Sequence, residues 1–374
     1  MLNRARLLRE LQLISGKLFT DLSDEFSTAR ASWERITADP TFLYKVKAIS
    51  SSLPLPTWNH HIDETTAIDK PLDAYQVIAI DGSQIYPDRH QGTSCFLINI
   101  GTVLLRYGIP GKNVELDSIP YVFLGDEDKA IEHISADYIN LRREEFEFSA
   151  SCSLAQQHFN HPDTPHLLLI DGSLIFWHLE GKEPELRSLF LTRYFSALSS
   201  LHESHIINAA YISLPRNKEL VNLLKVELSN GNLEDTQAYD SIAHLLDVHI
   251  ANLYLNPGER TTLFKHNSKV ASFYPQELQP HFFYLHTGFE IARIELPAWI
   301  AQDTSMVNLI SRMIFDQSSK GRGYPVALAE AHEQAVVKGP DRDFFYHLIT
   351  KLGMNVKQRP TLSQKMMKKR GIGI

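Results

Sequence analysis

Cysteine is scarce in this chain of 374 residues, occurring only as Cys95 and Cys152. Both lie in apolar-patterned segments without CxxC spacing. That excludes a disulfide scaffold or a thiolate zinc site and fits a reducing, cytoplasmic setting. Long apolar runs are missing too. No stretch approaches the roughly 20 residues of a membrane span, so no membrane association is expected. The opening Met-Leu-Asn-Arg-Ala-Arg starts an amphipathic pattern rather than a signal-peptide block. Positive charge is not in excess, since the net charge is −7. A surface coated for nucleic acid is thereby disfavoured, but not a local groove around a metal-holding acidic centre. Low-complexity tracts and solenoid-like repeats are also absent. What is present is a hydrophobic share of 43%, enough over this length for a large core.

The pattern along the chain suggests three parts. Residues 1–70 read as an N-terminal helical arm, with Leu7, Leu8, Leu11, Leu18 and Leu22 among charged neighbours, and a connector from Pro54 through 59–73. Residues 71–350 read as the main domain. It opens with strands at 76–81, 94–107 and 119–124, followed by a helix at 127–158 and a strand ending at Asp171. A helix at 184–203 and a strand at 205–214 come next. Loops and short helices are expected over 229–280, anchored by Tyr254, Phe264 and Phe273. A strand pair at 281–296, a helix at 303–315, a turn at 321–325 and a helix at 325–338 complete it. Three strands, a helix, then strands alternating with helices is the order of a ribonuclease-H-like α/β fold. In such a fold an antiparallel three-strand meander joins parallel strands in one mixed sheet flanked by helices. Residues 351–374 form a basic tail carrying Lys357, Arg359, Lys365, Lys368, Lys369 and Arg370. Such a tail is either solvated or a phosphate-contacting arm.

One phrase occurs twice, as V-I-A-I-D-G-S at 77–83 and L-L-L-I-D-G-S at 167–173. Each is an apolar run delivering an aspartate at a strand end. A single copy reads as a turn, because Asp and Ser favour turns and Gly tolerates positive φ. Two copies point instead to paired carboxylates, Asp81 and Asp171, held together by a divalent cation. Magnesium or manganese suits such oxygen donors. On the helix between them, Ile134, Tyr138, Leu141, Phe148, Cys152 and Ala155 make an apolar stripe that includes Glu145. Glu145 is therefore the expected third ligand, with Glu144 next and Glu147 close by. The alternative is a Glu145–Arg142 pair. Near the C-terminus, Gly321-Arg-Gly-Tyr-Pro325 precedes a helix carrying His332, which could ligate a metal or move a proton. Tyr324 could stack on a base or bind a phosphate. Arg293-Ile-Glu295-Leu-Pro297 reads as an edge strand whose two charges pair with each other, Glu295 being otherwise a further acid at the site. Arg216 is a phosphate-contact candidate.

With these residues assembled, the chain resembles the NurA nucleases. The resemblance rests on I-D-G-S at 80–83, an acidic residue in the following helix, I-D-G-S-L at 170–174 and G-Y-P-V-A-L-A-E-A-H at 323–332, and extends from about 76 to 346. It implies a ribonuclease-H-like nuclease that uses one or two manganese ions, with magnesium as a substitute. By the resemblance, Asp81, Glu145, Asp171 and His332 would be metal-binding, and Tyr324 would complete the catalytic set. It further implies 5′-to-3′ processing of DNA ends, or endonuclease action on single strands, within double-strand-break repair. Partners would be a HerA-type hexameric ATPase and a second copy of the chain in a toroidal homodimer. Two rival readings are an actin-like or sugar-kinase-like ATPase gripping phosphates with its Asp-Gly-Ser turns, and a non-catalytic subunit of a DNA-translocase complex. The first rival lacks Gly-rich adenosine-site turns.

Overall fold

The two aliphatic runs before the Asp-Gly-Ser phrases become neighbouring parallel strands, and the rest of the molecule is arranged around them. The computed structural model describes residues 2–17, 21–88, 94–124, 135–159 and 164–355. Its strands, in chain order, are β1 (Thr57–Trp58), β2 (Thr65–Ala67), β3 (Tyr75–Ile85), β4 (Phe96–Tyr107), β5 (Val114–Phe123) and β6 (His166–Asp171). They continue with β7 (Asn208–Ile212), β8 (Glu259–Thr261), β9 (Phe264–Lys265), β10 (Pro280–His286) and β11 (Ile291–Pro297). All belong to one sheet of order β1-β9-β10-β11-β7-β6-β3-β4-β5, with β2 and β8 alongside β10. From the β5 edge, an antiparallel meander (β5-β4-β3) is followed by β6 and β7, both parallel to β3. This is the expected ribonuclease-H-like order, extended by the antiparallel pair β11 and β10.

The helices are α1 (Arg4–Ile14), α2 (Ser23–Ala38), α3 (Phe42–Ala48), α4 (Ala136–His158), α5 (Pro184–Glu203) and α6 (Glu219–Leu228). After these come α7 (Asp247–Ala251), α8 (Ala298–Ala301), α9 (Thr304–Lys320), α10 (Val326–Ala335) and α11 (Gly339–Asn355). Strand alternation divides the centre of the sheet between two cores. Ile78, Ile80 and Leu168 face the α4–α5 layer. Tyr75, Val77, Ala79, Leu167 and Leu169 face α9 and α10. A third core joins α2, α3, α6 and α7 to Phe264, Phe282 and Tyr284. Central strands buried on both faces read as continuous aliphatic runs, which is why both phrases stand out in the sequence.

Several expectations need correction. Strand β3 runs on to Ile85 rather than stopping at Asp81, because it stays paired with β4 as far as Ile85 opposite Leu97. Strand β11 is not an edge: it lies between β10 and β7 and is buried along its whole length. Helix α9 continues to Lys320, α10 stops at Ala335, and α11 follows where no helix was expected. In the segment read as an arm and connector, α1 buries nothing, whereas α2 buries Ala29, Trp33 and Ile36 and residues 57–67 add two strands to the sheet. Within 229–280, Phe264 is buried as expected, but Phe273 is 54% exposed beneath Arg187. Leu18, Ile134 and the basic tail from Lys357 lie outside the described residues. No described helix is long and apolar enough to cross a membrane.

Candidate active site

Asp81 and Asp171 stand side by side because β3 and β6 are in parallel register, with Ile80 opposite Ile170. Residue parity fixes the face they continue. Each is two residues beyond an alanine or leucine packed under α9 and α10, so each emerges on the α10 side. His332 on α10 sets Nδ1 2.9 Å from Asp81 Oδ2. Tyr324, in the turn before α10, lies close enough to the Asp171 carboxylate for each to shift the other's pKa, and packs edge-on to Tyr211 with ring centres 5.6 Å apart. Gln317 holds that turn in place by accepting the Ala327 N–H at 3.1 Å.

Two glycines permit close approaches that create the site. Gly101 lies opposite Asp81 on β4. A Cβ there would fall 2.4 Å from Ala335 N and 2.5 Å from Ala331 O. Its absence lets α10 rest on the sheet, where Ser83 Oγ and Asn99 Nδ2 donate to the Ala335 carbonyl. Gly82 does the same for α4. A Cβ there would stand 2.4 Å from Glu147 Oε1 and 2.9 Å from Arg143 Cγ. The two Asp-Gly-Ser phrases therefore use their glycines differently. Gly172 turns the chain at φ +98°, whereas Gly82 makes room within an extended strand.

Through that gap α4 delivers two carboxylates, and they are not the one the apolar stripe suggested. A cleft of about 370 Å³ is lined by Asp81, Asp171, Ser173, Arg143, Glu144 and Glu147. Glu147 accepts from Arg143, which also donates to Gly82 O at 3.1 Å. Glu144 accepts from Tyr194 at 2.7 Å and faces His178 at 2.9 Å. Glu145 points away from the cleft, paired with Arg142 at 2.5 Å and with Arg193 on α5 at 2.9 Å. The stripe containing Glu145 is the face that α4 packs against α5, where Cys152 bonds Ala197 O. The face toward the Asp-Gly-Ser strands is Arg143, Glu144, Glu147 and Ser151. Only the i, i+4 spacing of Arg143 and Glu147 signalled in the sequence that this face was special.

Charge crowding is evident. Burial pushes the Glu147 carboxyl up to about 8, against Arg143 and with help from the charges of Asp81, Glu144 and Asp171. Burial also raises Asp171, outweighing the opposing effect of the nearby Tyr324 hydroxyl, and Asp81 adds to the rise. Tyr324 is itself raised by burial and by Asp171, so it remains a protonated donor near neutral pH. Each carboxylate is held by its own partner. Among the described residues no three His, Cys, Asp or Glu side chains already converge as a ligand cluster. The donors are nonetheless hard oxygens with excess negative charge, which suits manganese or magnesium rather than a thiolate-seeking metal.

Behind Asp171, Glu295 accepts from Ser173 Oγ at 2.7 Å and Leu174 N at 2.8 Å, while its other oxygen holds the fully buried Arg293 at 2.7 Å. Arg293 also meets Glu219 at 2.9 Å and lies 3.6 Å from the Phe282 ring centre. The expected Arg293–Glu295 pair is thus present, and it braces the Asp171 turn. Arg216 is exposed after β7 and does not line the cleft.

A family model for the NurA domain matches residues 75–337, more than half of the chain. The chain belongs to the NurA family. The matched span contains Asp81, Glu144, Glu147, Asp171, Tyr324 and His332. A search of curated proteins finds no match. Among solved structures, "Crystal structure of NurA" is 12% identical with a TM-score of 0.42, covering 85% of this chain and 97% of that one. "Crystal structure of NurA with manganese" is 12% identical with a TM-score of 0.41, over 86% and 98%. "Crystal structure of NurA bound to dAMP and manganese" is 11% identical with a TM-score of 0.38, over 90% and 94%. These spatial likenesses are loose, and membership rests on the family match.

Proposed function

We propose that this NurA-family chain is a metal-dependent DNA nuclease whose centre is the cleft between Asp81, Asp171 and Glu147. The observation that carries the reading is that a single cleft is lined by carboxylates from β3, β6 and α4, where the parallel pairing of β3 and β6 ends. Family membership and the relatives solved with manganese and dAMP support it. Asp81, Asp171 and Glu147 would hold one or two manganese ions, with Glu144 at the rim; magnesium fits the same donors. Glu145, tied to two arginines, is replaced in this role by Glu147. A bound divalent ion supplies positive charge at phosphorus and lowers the pKa of an attacking water.

The chain's own side chains do the remainder. His332 is oriented by Asp81 through Nδ1, and its imidazole is 62% exposed, placing a proton donor or acceptor beside that carboxylate. Tyr324 stays protonated and can donate to a phosphate oxygen. The buried Arg293–Glu295 pair keeps the turn beyond Asp171 fixed. We further propose action on DNA ends together with a HerA-type ATPase, as a homodimer, on the family resemblance. The ATPase reading is disfavoured because the first Asp-Gly-Ser is part of an extended strand whose glycine is covered by Glu147 and Arg143, leaving no phosphate loop there.

The test is cleavage of linear DNA by the purified chain with manganese. Asp81→Asn and Asp171→Asn should each abolish it while the circular dichroism spectrum is unchanged. Undiminished cleavage in both variants would overturn the assignment.

A further inference from the structure

A second cleft, of about 530 Å³, opens where α3, β1, β2, β8 and β9 meet the start of α9. It is cationic: Lys47, Arg260 and Lys265 line it together with His60 and His281, against Glu64 as the one lining carboxylate. Arg260 is the informative residue. It is only 6% exposed, yet among the described residues its hydrogen bonds go to uncharged acceptors, Thr261 O at 3.1 Å and Asn308 Oδ1 at 2.8 Å. Its Nε has no partner among the described residues. A guanidinium offers five N–H donors, so most of its capacity is unused.

A buried cation normally has a carboxylate against it. Here Glu64 acts on Arg260 only at longer range, and burial pulls the arginine below its usual pKa. Lys47 and Lys265 are absent from the lysine ion pairs among the described residues. His281 is held below its ordinary value by burial, with Lys265 adding to the effect, so at neutral pH it is a neutral hydrogen-bonding group. The cleft therefore holds three permanent positive charges against a single acid, an excess of two, and one of the three is desolvated. Phosphate is the anion whose charge and number of acceptor oxygens match such a set.

We infer that this cleft is a second phosphate-binding site, taking the phosphate of a nucleotide or of a nucleic-acid strand. It is separate from the carboxylate cleft. Thr304 at the start of α9 lines it, and the turn bearing Tyr324 follows the other end of that 17-residue helix, about 25 Å away at helical rise. The inference does not depend on the nuclease reading, because neither Arg260 nor the two lysines touches the carboxylates.

The experiment is titration calorimetry on the full chain carrying Asp171→Asn, in chelator so that no divalent ion is bound, with dAMP and with a short single-stranded oligonucleotide as probes. Saturable binding of either probe is expected, weakened at least tenfold by Lys47→Ala/Lys265→Ala and by Arg260→Met. The two lysines are at or near the surface, so the double variant tests the site even if Arg260→Met fails to fold. Tighter binding of the oligonucleotide identifies a strand backbone as the ligand; equal or tighter binding of dAMP identifies a free nucleotide. Absence of saturable binding by both probes, or affinity unchanged in the lysine double variant, overturns the inference.

Discussion

Glu147 brings a carboxylate into a gap that only Gly82 leaves open, beside an arginine and the aspartates of β3 and β6. Its neighbour Glu145, two residues back, spends both helix-surface contacts on arginines. On the proposed reading, the two residues separate ligand from brace within about half a turn of helix. Glu147→Gln should lower manganese-dependent cleavage at least ~100-fold, the scale on which loss of one charge-stabilising group is felt in a desolvated site. Glu145→Gln should leave cleavage within a few-fold of the parent and instead lower the thermal midpoint by loosening α4 from α5. Measured rates and unfolding curves of the two variants check both outcomes. From the sequence alone, the aspartates were legible because a strand's period of two and its apolar run are local signals. The choice among Glu144, Glu145 and Glu147 was not. It depends on which face of α4 meets α5 and which meets the sheet, and both neighbours are distant in the chain.

Among the elements, α10 shows how far the site depends on backbone proximity. His332 reaches Asp81 only because Gly101 lets the helix lie on β4. Gly101→Val should push α10 outward, costing about 1–3 kcal/mol as an overpacked contact does, and should separate His332 from Asp81. Chemical denaturation and cleavage assays should both register the loss. Helix α2 offers a pH-dependent element. Burial alone would raise Glu227, but the hydrogen bonds from Arg35 and Ser32 prevail and hold it below its usual value. A carboxylate depressed in the folded state contributes its full stabilisation above the unfolded pKa and loses it as pH falls through the folded one. Arg35 is largely exposed, so the contribution is under ~1 kcal/mol. Trp33 stacks on Tyr254 at 5.2 Å nearby. Its fluorescence should hold steady from pH 7 down to about 4.5 and shift only below that, and the shift should vanish in Glu227→Gln. Element identity was readable wherever periodicity was strong, as in β3, β6 and α5. Strand β11 misled because Arg293 and Glu295 look like solvent-facing charges, whereas each neutralises the other inside the sheet.

At the scale of the whole molecule, a chain of net charge −7 concentrates acid at one cleft and leaves cation unbalanced at another. The order of elements was enough to anticipate the meander and the parallel strands. It could not reveal that β10 and β11 extend the same sheet or that α2 closes a third core, because such pairings join segments widely separated in sequence. The central claim is that β3, β6 and α4 together form one metal centre. The most direct measurement is anomalous scattering from a crystal of the full chain soaked in manganese. A peak within the cleft is expected, coordinated by Asp81 and Asp171, with Glu147 released from Arg143 to join them. A peak at Glu145, or an empty cleft at saturating manganese, would contradict that claim.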